Sequence, residues 1–237
     1  MRNTRVIALK EFKSYLLSPM AYIVTSIFLI FTGIYFSVFS PAIYFETSIT
    51  GFLEAGVILL LLFGPLLTMR LLAEERKMGT LELLLTIPVR DSEVILGKFL
   101  GSLAILLVML GLTLYYPLLL TIFGDPDPGP IFTGYLGLFL LGSTSLAIGI
   151  FTSSITSNQI VAAVVAIGIL LALYFIGFAA AFLPEALGEV IGFFSMSNYF
   201  PDFMRGVIDT RGVIYYLSMM GLFLFLAIRS LENSRWS

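Results

Sequence analysis

Long apolar runs separated by short polar segments make up most of the chain. A helix of about 20 apolar residues crosses a hydrocarbon core roughly 30 Å thick. Six runs approach or exceed that length, so the pattern predicts an all-α polytopic membrane protein with one six-helix domain over residues 20–237. The predicted spans cover about residues 20–40, 52–70, 97–123, 131–152, 159–183 and 213–230.

A shorter amphipathic segment precedes the first span. Helical spacing places Leu9, Phe12 and Leu16 on one face, and Pro19 lets the chain turn into the bilayer. We expect residues 1–19 to form an amphipathic interfacial helix along the cytoplasmic membrane surface. It acts either as a juxtamembrane anchor alone or as an additional contact for a partner.

The segment between the fifth and sixth spans, residues 184–212, is too apolar and aromatic for a solvated loop. Pro184 and Pro201 punctuate it, which favours short re-entrant helices dipping into the outer leaflet over one continuous span. Such helices suit an outer gate. The alternative is a belt of aromatic side chains at the membrane interface.

Positive charge gives the orientation. Lys and Arg in short loops are retained on the cytoplasmic side during insertion. With a cytoplasmic N-terminus, eleven of the 13 basic residues lie inside, and only Arg205 and Arg211 lie outside. This bias requires an even number of spans with both termini cytoplasmic, which agrees with six.

Composition narrows the chemistry. The chain is 59% hydrophobic and 12% charged, and its net charge of −2 shows no basic patch for nucleic acid. Without Cys or His it has no disulfide, no thiolate or imidazole ligand, and no nucleophile activated by His. Its nine Met residues are scattered and indicate no metal site. We therefore expect a chain that is not itself catalytic and binds no metal or cofactor.

Ten charged residues interrupt the apolar pattern between Met69 and Lys98. We expect the second span to continue as a helix through Lys77, and Gly79 to permit a sharp turn. Thr80 can cap a short helix over residues 80–85 that Pro88 ends. Physical chemistry alone leaves two interpretations of this loop, residues 71–96: a solvated hairpin that only sets topology, or a docking element for a soluble partner.

The helix that returns to the membrane after this loop has its own start signals. Asp91 or Ser92 can cap it, and Glu93 then lies in its first turn beside the positive helix end. Gly97-Lys98 belongs to this helix and not to a nucleotide site, because Phe99 follows the lysine and the preceding glycine of a P-loop is missing.

The charged loop and its two stems carry a recognisable set of residues: Met69-Arg70, Glu74-Glu75-Arg76, Gly79-Thr80-Leu81-Glu82, Leu84, Pro88 and Gly97-Lys98. With these residues the loop resembles the permeases of the ABC-2 type, which are the membrane subunits of one group of ATP-binding-cassette exporters. The N-terminal Lys10-Glu11-Phe12 followed by Ser18-Pro19 is similar to the same family's first segment. Within the family, the chain most resembles the compact bacterial branch of gliding-motility and nitrous-oxide-reductase-associated permeases.

The resemblance implies that the short helix is a coupling helix seated on a separate cytoplasmic ATPase, which binds the ATP and Mg. It also implies a second permease copy or a related permease, an extracytoplasmic accessory protein in some assemblies, and a place in the bacterial inner membrane. Ion pairs among Arg70 and residues 74–77 would stiffen the helical segment that leads to the coupling helix. The implied coupling residues are Glu74, Glu75, Arg76, Lys77, Gly79, Thr80, Leu81, Glu82, Leu83, Leu84 and Leu85, and the implied additional ATPase contacts are Lys10, Glu11 and Lys13.

The expected function is therefore ATP-driven export of a substrate, with ATP hydrolysed on another chain. The alternative is a membrane component that uses ATP to transmit mechanical work to partner proteins without a small substrate. Almost no charge lies within the spans, which disfavours a proton-coupled carrier.

Weakly polar side chains either line a substrate cavity or make contacts between helices: Tyr22, Thr25, Tyr35, Thr113, Tyr115 and Tyr116. Ser145, Gly149 and Ser153 form a small-residue ladder that predicts close helix packing.

Overall fold

A computed structural model describes residues 2–39, 49–80, 89–180 and 182–233. Every regular element in these ranges is helical. The helices are α1 (Arg2–Leu17), α2 (Pro19–Phe39), α3 (Thr50–Thr68), α4 (Arg70–Lys77), α5 (Asp91–Leu112), α6 (Tyr115–Phe123), α7 (Pro128–Ile155), α8 (Gln159–Ala180), α9 (Glu185–Phe193), α10 (Phe200–Met204) and α11 (Thr210–Asn233), with a 3₁₀ turn at Met196–Asn198.

Six helical units in the described ranges are long and apolar enough to cross a membrane, which confirms the predicted number. The largest differences from the predicted spans are at the charged loop, where the second unit runs to Lys77 and the third begins at Asp91, because the helices continue beyond the apolar runs as the sequence predicts. The third unit also combines α5 with α6. The polar first turn of α5 is helical because its acidic residues lie at the positive helix end. The six units are Pro19–Val38, Thr50–Lys77, Asp91–Phe123, Pro128–Ile155, Gln159–Ala180 and Thr210–Asn233.

The centre of the bundle is α7, which packs against α3 on one side and α11 on another. Small residues allow the close approach to α3. A Cβ at Gly64 would clash with Ser145, and one at Gly149 would clash with Thr68. The Ser145 hydroxyl donates to the Leu60 carbonyl at 3.0 Å. The small-residue ladder of α7 therefore makes the close helix contact that its sequence predicts, and its partner is α3.

One face of α1 packs against the first half of α5, next to the charged loop. Gly97 and Gly101 make room for it: a Cβ on them would lie 2.7 Å from Ile7 Cβ and 2.6 Å from Glu11 Cβ, respectively. The packed face carries Glu11 and Tyr15, both buried. The sequence analysis did not anticipate this contact, which adds a packed face to the predicted interfacial helix: glycines four residues apart on α5 form a groove for a second helix.

The segment after α8 folds as the predicted series of short helices. Pro184 immediately precedes α9, and Pro201 lies in the first turn of α10. Hydroxyl groups of α11 hold the segment, since Tyr215 donates to the Phe194 carbonyl at 2.6 Å and Tyr216 to the Met196 carbonyl at 3.1 Å. Whether these helices enter the outer leaflet or gate a path stays a prediction.

Candidate functional site

Lys98 lies at the centre of a buried ion-pair cluster beneath the charged loop. Its Nζ donates to Glu75 Oε1 at 2.7 Å and to Glu11 Oε1 at 3.1 Å. The lysine side chain is 2% exposed, and the Glu75 and Glu11 side chains are 20% and 10% exposed. We call these three residues the Lys98 cluster. It joins α1, α4 and α5, and therefore ties both stems of the loop to the N-terminal helix.

The ion pairs of this cluster differ from those predicted for Arg70 and residues 74–77. The sequence suggested that charged residues of α4 pair with one another, but Glu75 pairs with a lysine of the returning helix. Glu11 was an expected ATPase contact, yet its burial and its bond to Lys98 turn it toward the protein interior. Of the three predicted contacts on α1, only Lys10 and Lys13 are exposed. A lysine in an otherwise apolar stretch of α5 was the signal in the sequence that could have indicated the cluster.

The break between α3 and α4 is closed by a side chain from α7. Ser153 Oγ donates to the Met69 carbonyl at 2.9 Å and accepts from the backbone amides of Leu72 at 3.1 Å and Ala73 at 2.9 Å. These two amides lie in the first turn of α4, where helix geometry supplies no partner. Ser153 therefore caps α4 from another helix and fixes its position against the centre of the bundle.

Arg70 fastens the end of α1 to the same junction. Its Nη1 donates to Ser18 Oγ at 2.7 Å, and its guanidinium lies 5.2 Å from the centre of the Tyr15 ring. The Tyr15 hydroxyl donates to the Leu67 carbonyl at 2.7 Å. Burial raises the pKa of Tyr15 well above its ordinary value, although the Arg70 charge opposes the shift. The phenol is therefore neutral and remains a hydrogen-bond donor at physiological pH.

The start of α5 differs from the predicted cap. The helix begins at Asp91, so the cap position belongs to Arg90 and not to Asp91 or Ser92. Glu93 Oε2 accepts from the Arg90 backbone amide at 3.4 Å and from Asn3 Nδ2 at 3.1 Å. Glu93 lies in the first turn as predicted, and it contributes a second link between α1 and the loop.

The tip of the loop begins as the sequence predicts. The helix α4 ends at Lys77, and Gly79 has a φ of +69°, a conformation that favours glycine. Thr80 Oγ1 donates to the Glu75 carbonyl at 3.2 Å. The remaining predicted coupling residues, over 81–85, and Pro88 lie outside the described residues. Glu74 and Lys77 are exposed, whereas Arg76 is half-buried.

Three of the six predicted cavity residues, Thr113, Tyr115 and Tyr116, lie together at the break between α5 and α6, where the centres of the two tyrosine rings are 4.0 Å apart. Tyr22 donates to the Leu16 carbonyl near the start of the first span, while Tyr35 and Tyr115 are exposed. Thr25 is half-buried on α2.

Thr113 and Tyr116 are fully buried next to the break between α5 and α6. The Tyr116 hydroxyl lies 3.1 Å from Thr32 Oγ1, and the Thr113 hydroxyl lies 3.1 Å from that of Tyr135. These contacts are bonds between helices, which was the alternative role that the sequence left open for such residues.

Comparisons with known proteins match this chain to one family of transporter proteins. A family model described as "ABC-2 family transporter protein" matches residues 5–204, a range that contains the whole Lys98 cluster. Two proteins, from Escherichia coli K12 and from Escherichia coli O157:H7, are each 33% identical to the chain over 178 residues. Both are described as "Probable multidrug ABC transporter permease YbhS". The match covers 72% of this chain but 41% of each relative, so the chain spans about two fifths of the length of these curated relatives.

Proposed function

Since the chain belongs to the ABC-2 transporter family, we propose that it is the membrane subunit of an exporter and couples ATP hydrolysis on a separate ATPase chain to substrate movement. The Lys98 cluster is the observation that carries this proposal. It binds α4 and α5, the two stems of the charged loop, to each other and to α1. A force on the loop tip therefore moves three helices together and is not absorbed by bending one of them.

The route from the loop into the membrane continues through Ser153. Because this hydroxyl bonds the junction of α3 and α4, displacement of α4 acts directly on α7. In turn, α7 packs against both α3 and α11. A push at the cytoplasmic tip thus reaches the centre of the bundle through short hydrogen bonds and close helix contacts.

The ATPase contact in this proposal is the loop tip at residues 80–85, supported by the exposed end of α4. ATP and Mg belong to the partner. Lys98, the lysine of the Gly-Lys pair, is buried and bonded to two carboxylates, so it does not serve a nucleotide phosphate. The excess of basic residues on the loop side supports a cytoplasmic tip and cytoplasmic termini, as in a bacterial inner-membrane permease.

A second permease copy or a related permease completes the proposed assembly, with two ATPase subunits. The relatives are described as multidrug permeases. That description supports an apolar or amphipathic small molecule as the class of substrate, because the described spans offer few charges to bind an ion.

The test uses the complex of this chain with its ATPase in inside-out vesicles. Mg-ATP hydrolysis and ATP-driven uptake of ethidium, an amphipathic dye, are measured together. We expect Glu82→Lys to retain ATP hydrolysis and lose at least about tenfold in uptake, because it reverses a charge at the proposed contact. Glu232→Lys, which reverses an exposed cytoplasmic carboxylate on α11, is the matched control and leaves both rates unchanged. The proposal is contradicted if Glu82→Lys leaves dye uptake unchanged. It is also contradicted if no ATPase chain copurifies with this protein.

A further inference from the structure

An open groove of about 820 Å³ lies on the side of α1 that faces away from α5. Its apolar side chains are unusually exposed: Leu17 is 85% and Val6 is 62% accessible. Its polar lining is basic or hydroxylic, and no acidic residue of the described ranges lines it. The full lining is Val6, Leu9, Lys10, Lys13, Ser14, Leu17, Ser18 and Arg70.

Two features place this groove at the level where hydrocarbon meets water. Ser18 immediately precedes Pro19, where the first membrane-spanning helix begins. Arg70 follows the apolar helix α3, which ends at Thr68. Both chain segments therefore cross the boundary of the apolar layer beside the groove, at the depth of lipid headgroups.

Arg70 is held in position there. One nitrogen of its guanidinium donates to Ser18 Oγ, and the guanidinium lies over the Tyr15 ring in a cation–π contact. A guanidinium carries five N–H donors, so further donors remain for a ligand. Lys10 and Lys13 are long, exposed side chains whose aliphatic stems can lie on apolar surface. The Lys10 Nζ lies 3.8 Å from Glu11 Oε1, but its side chain is 66% exposed, so its ammonium group can turn toward a phosphate as that of Lys13 can.

We propose that this groove binds an anionic phospholipid of the cytoplasmic leaflet. The lipid phosphate lies among Lys10, Lys13 and Arg70, and the acyl chains lie against Leu9 and Leu17. An acidic surface of a soluble protein fits the cations but not the neighbouring apolar side chains, which lie at the edge of the hydrocarbon. The proposal is independent of ATPase coupling. It assigns α1 a lipid contact on one face and the Lys98 cluster on the other.

The test measures lipid retention by the full chain during detergent delipidation, using native mass spectrometry. Phosphatidylglycerol and phosphatidylcholine are the two probes. Wild-type protein is expected to retain phosphatidylglycerol preferentially. Lys10→Gln and Lys13→Gln are each expected to weaken this retention roughly fivefold, the effect of one basic residue near an anionic lipid surface. Arg229→Gln removes one exposed cationic charge outside the groove and is expected to change retention little. Because all three side chains are exposed, unchanged thermal unfolding checks that each variant folds.

Four results would overturn the proposal. Equal retention of the two lipids shows that the groove does not recognise anionic headgroups. An equal effect of all three substitutions shows general charge attraction and no site. Displacement of phosphatidylglycerol by millimolar inorganic phosphate shows recognition of phosphate without the lipid chains. Loss of ATPase binding in the two lysine variants with unchanged lipid preference assigns these cations to a protein partner.

Discussion

Replacing Lys98 with methionine tests the buried cluster most severely. Methionine keeps an unbranched side chain of similar length but leaves Glu11 and Glu75 without their shared cation. Removing one partner of a buried ion pair costs about 3–5 kcal/mol, because the remaining charge is desolvated and unpaired. The Glu75 side chain is 20% exposed, so water partly replaces the lost bond. We therefore expect Lys98→Met to lower the free energy of unfolding by about 3 kcal/mol, the lower end of that range.

A matched pair of carboxylate variants separates burial from bond length. Glu75 and Glu232 each accept from a cation at 2.7 Å, but the side chains of the Arg229–Glu232 pair are 62% and 40% exposed. Glu75→Gln is expected to cost about 1–2 kcal/mol, because Lys98 keeps Glu11 as a partner. Glu232→Gln is expected to cost less than about 1 kcal/mol, as is typical for surface pairs.

The free energy of unfolding is measured by SDS titration of the purified chain in mixed micelles, followed by circular dichroism. The expected order of destabilisation is Lys98→Met, then Glu75→Gln, then Glu232→Gln. If Lys98→Met and Glu232→Gln cost the same, the cluster does not hold α1, α4 and α5 together, and its proposed role in force transmission is wrong.

Three further substitutions probe the surroundings of the cluster. Ser153→Ala removes the cap of α4 and should cost about 1–2 kcal/mol; faster hydrogen exchange of the first α4 amides checks it, and unchanged exchange argues against the cap. Gly101→Val should separate α1 from α5 and destabilise the chain more than Gly111→Val, since a Cβ at Gly111 meets no atom within 4 Å; equal unfolding midpoints would contradict this packing. Because burial raises the pKa of Tyr15, its contribution to stability is complete below the unfolded value near 10 and is lost as pH rises beyond it. Between pH 9 and 11, wild type should therefore lose about 1 kcal/mol more stability than Tyr15→Phe, and parallel pH profiles would refute the assignment.

Local features of the sequence were sufficient for the spans and for the stems of the loop. The apolar runs have the length of membrane-spanning helices, and Gly79 marks the turn after α4 because its φ is positive. The position of Gly97-Lys98 within α5 was also readable, since apolar residues continue on the same helix. These predictions depend on neighbours within a few helical turns.

Contacts between distant segments could not be read in the same way. Glu11 and Lys98 are 87 positions apart, and nothing in the period of either helix shows that they meet. The exposed apolar residues of α1 indicated a membrane contact, but they gave no sign that the opposite face, which carries Ile7 and Glu11, packs on α5. The four-residue spacing of Gly97 and Gly101 was the available signal for that packing.

The most direct test of the central claim is a cross-link from the loop tip to an ATPase. The chain has no native Cys, so Thr80→Cys places a single benzophenone–maleimide label at the loop tip, just beyond the turn that follows α4. Ser157→Cys labels the exposed turn between α7 and α8, which six spans place on the same side of the membrane. The account predicts a strong adduct between Thr80→Cys and an ATPase chain and at most a weak one from Ser157→Cys. No ATPase adduct at Thr80→Cys, or a stronger one at Ser157→Cys, would contradict it.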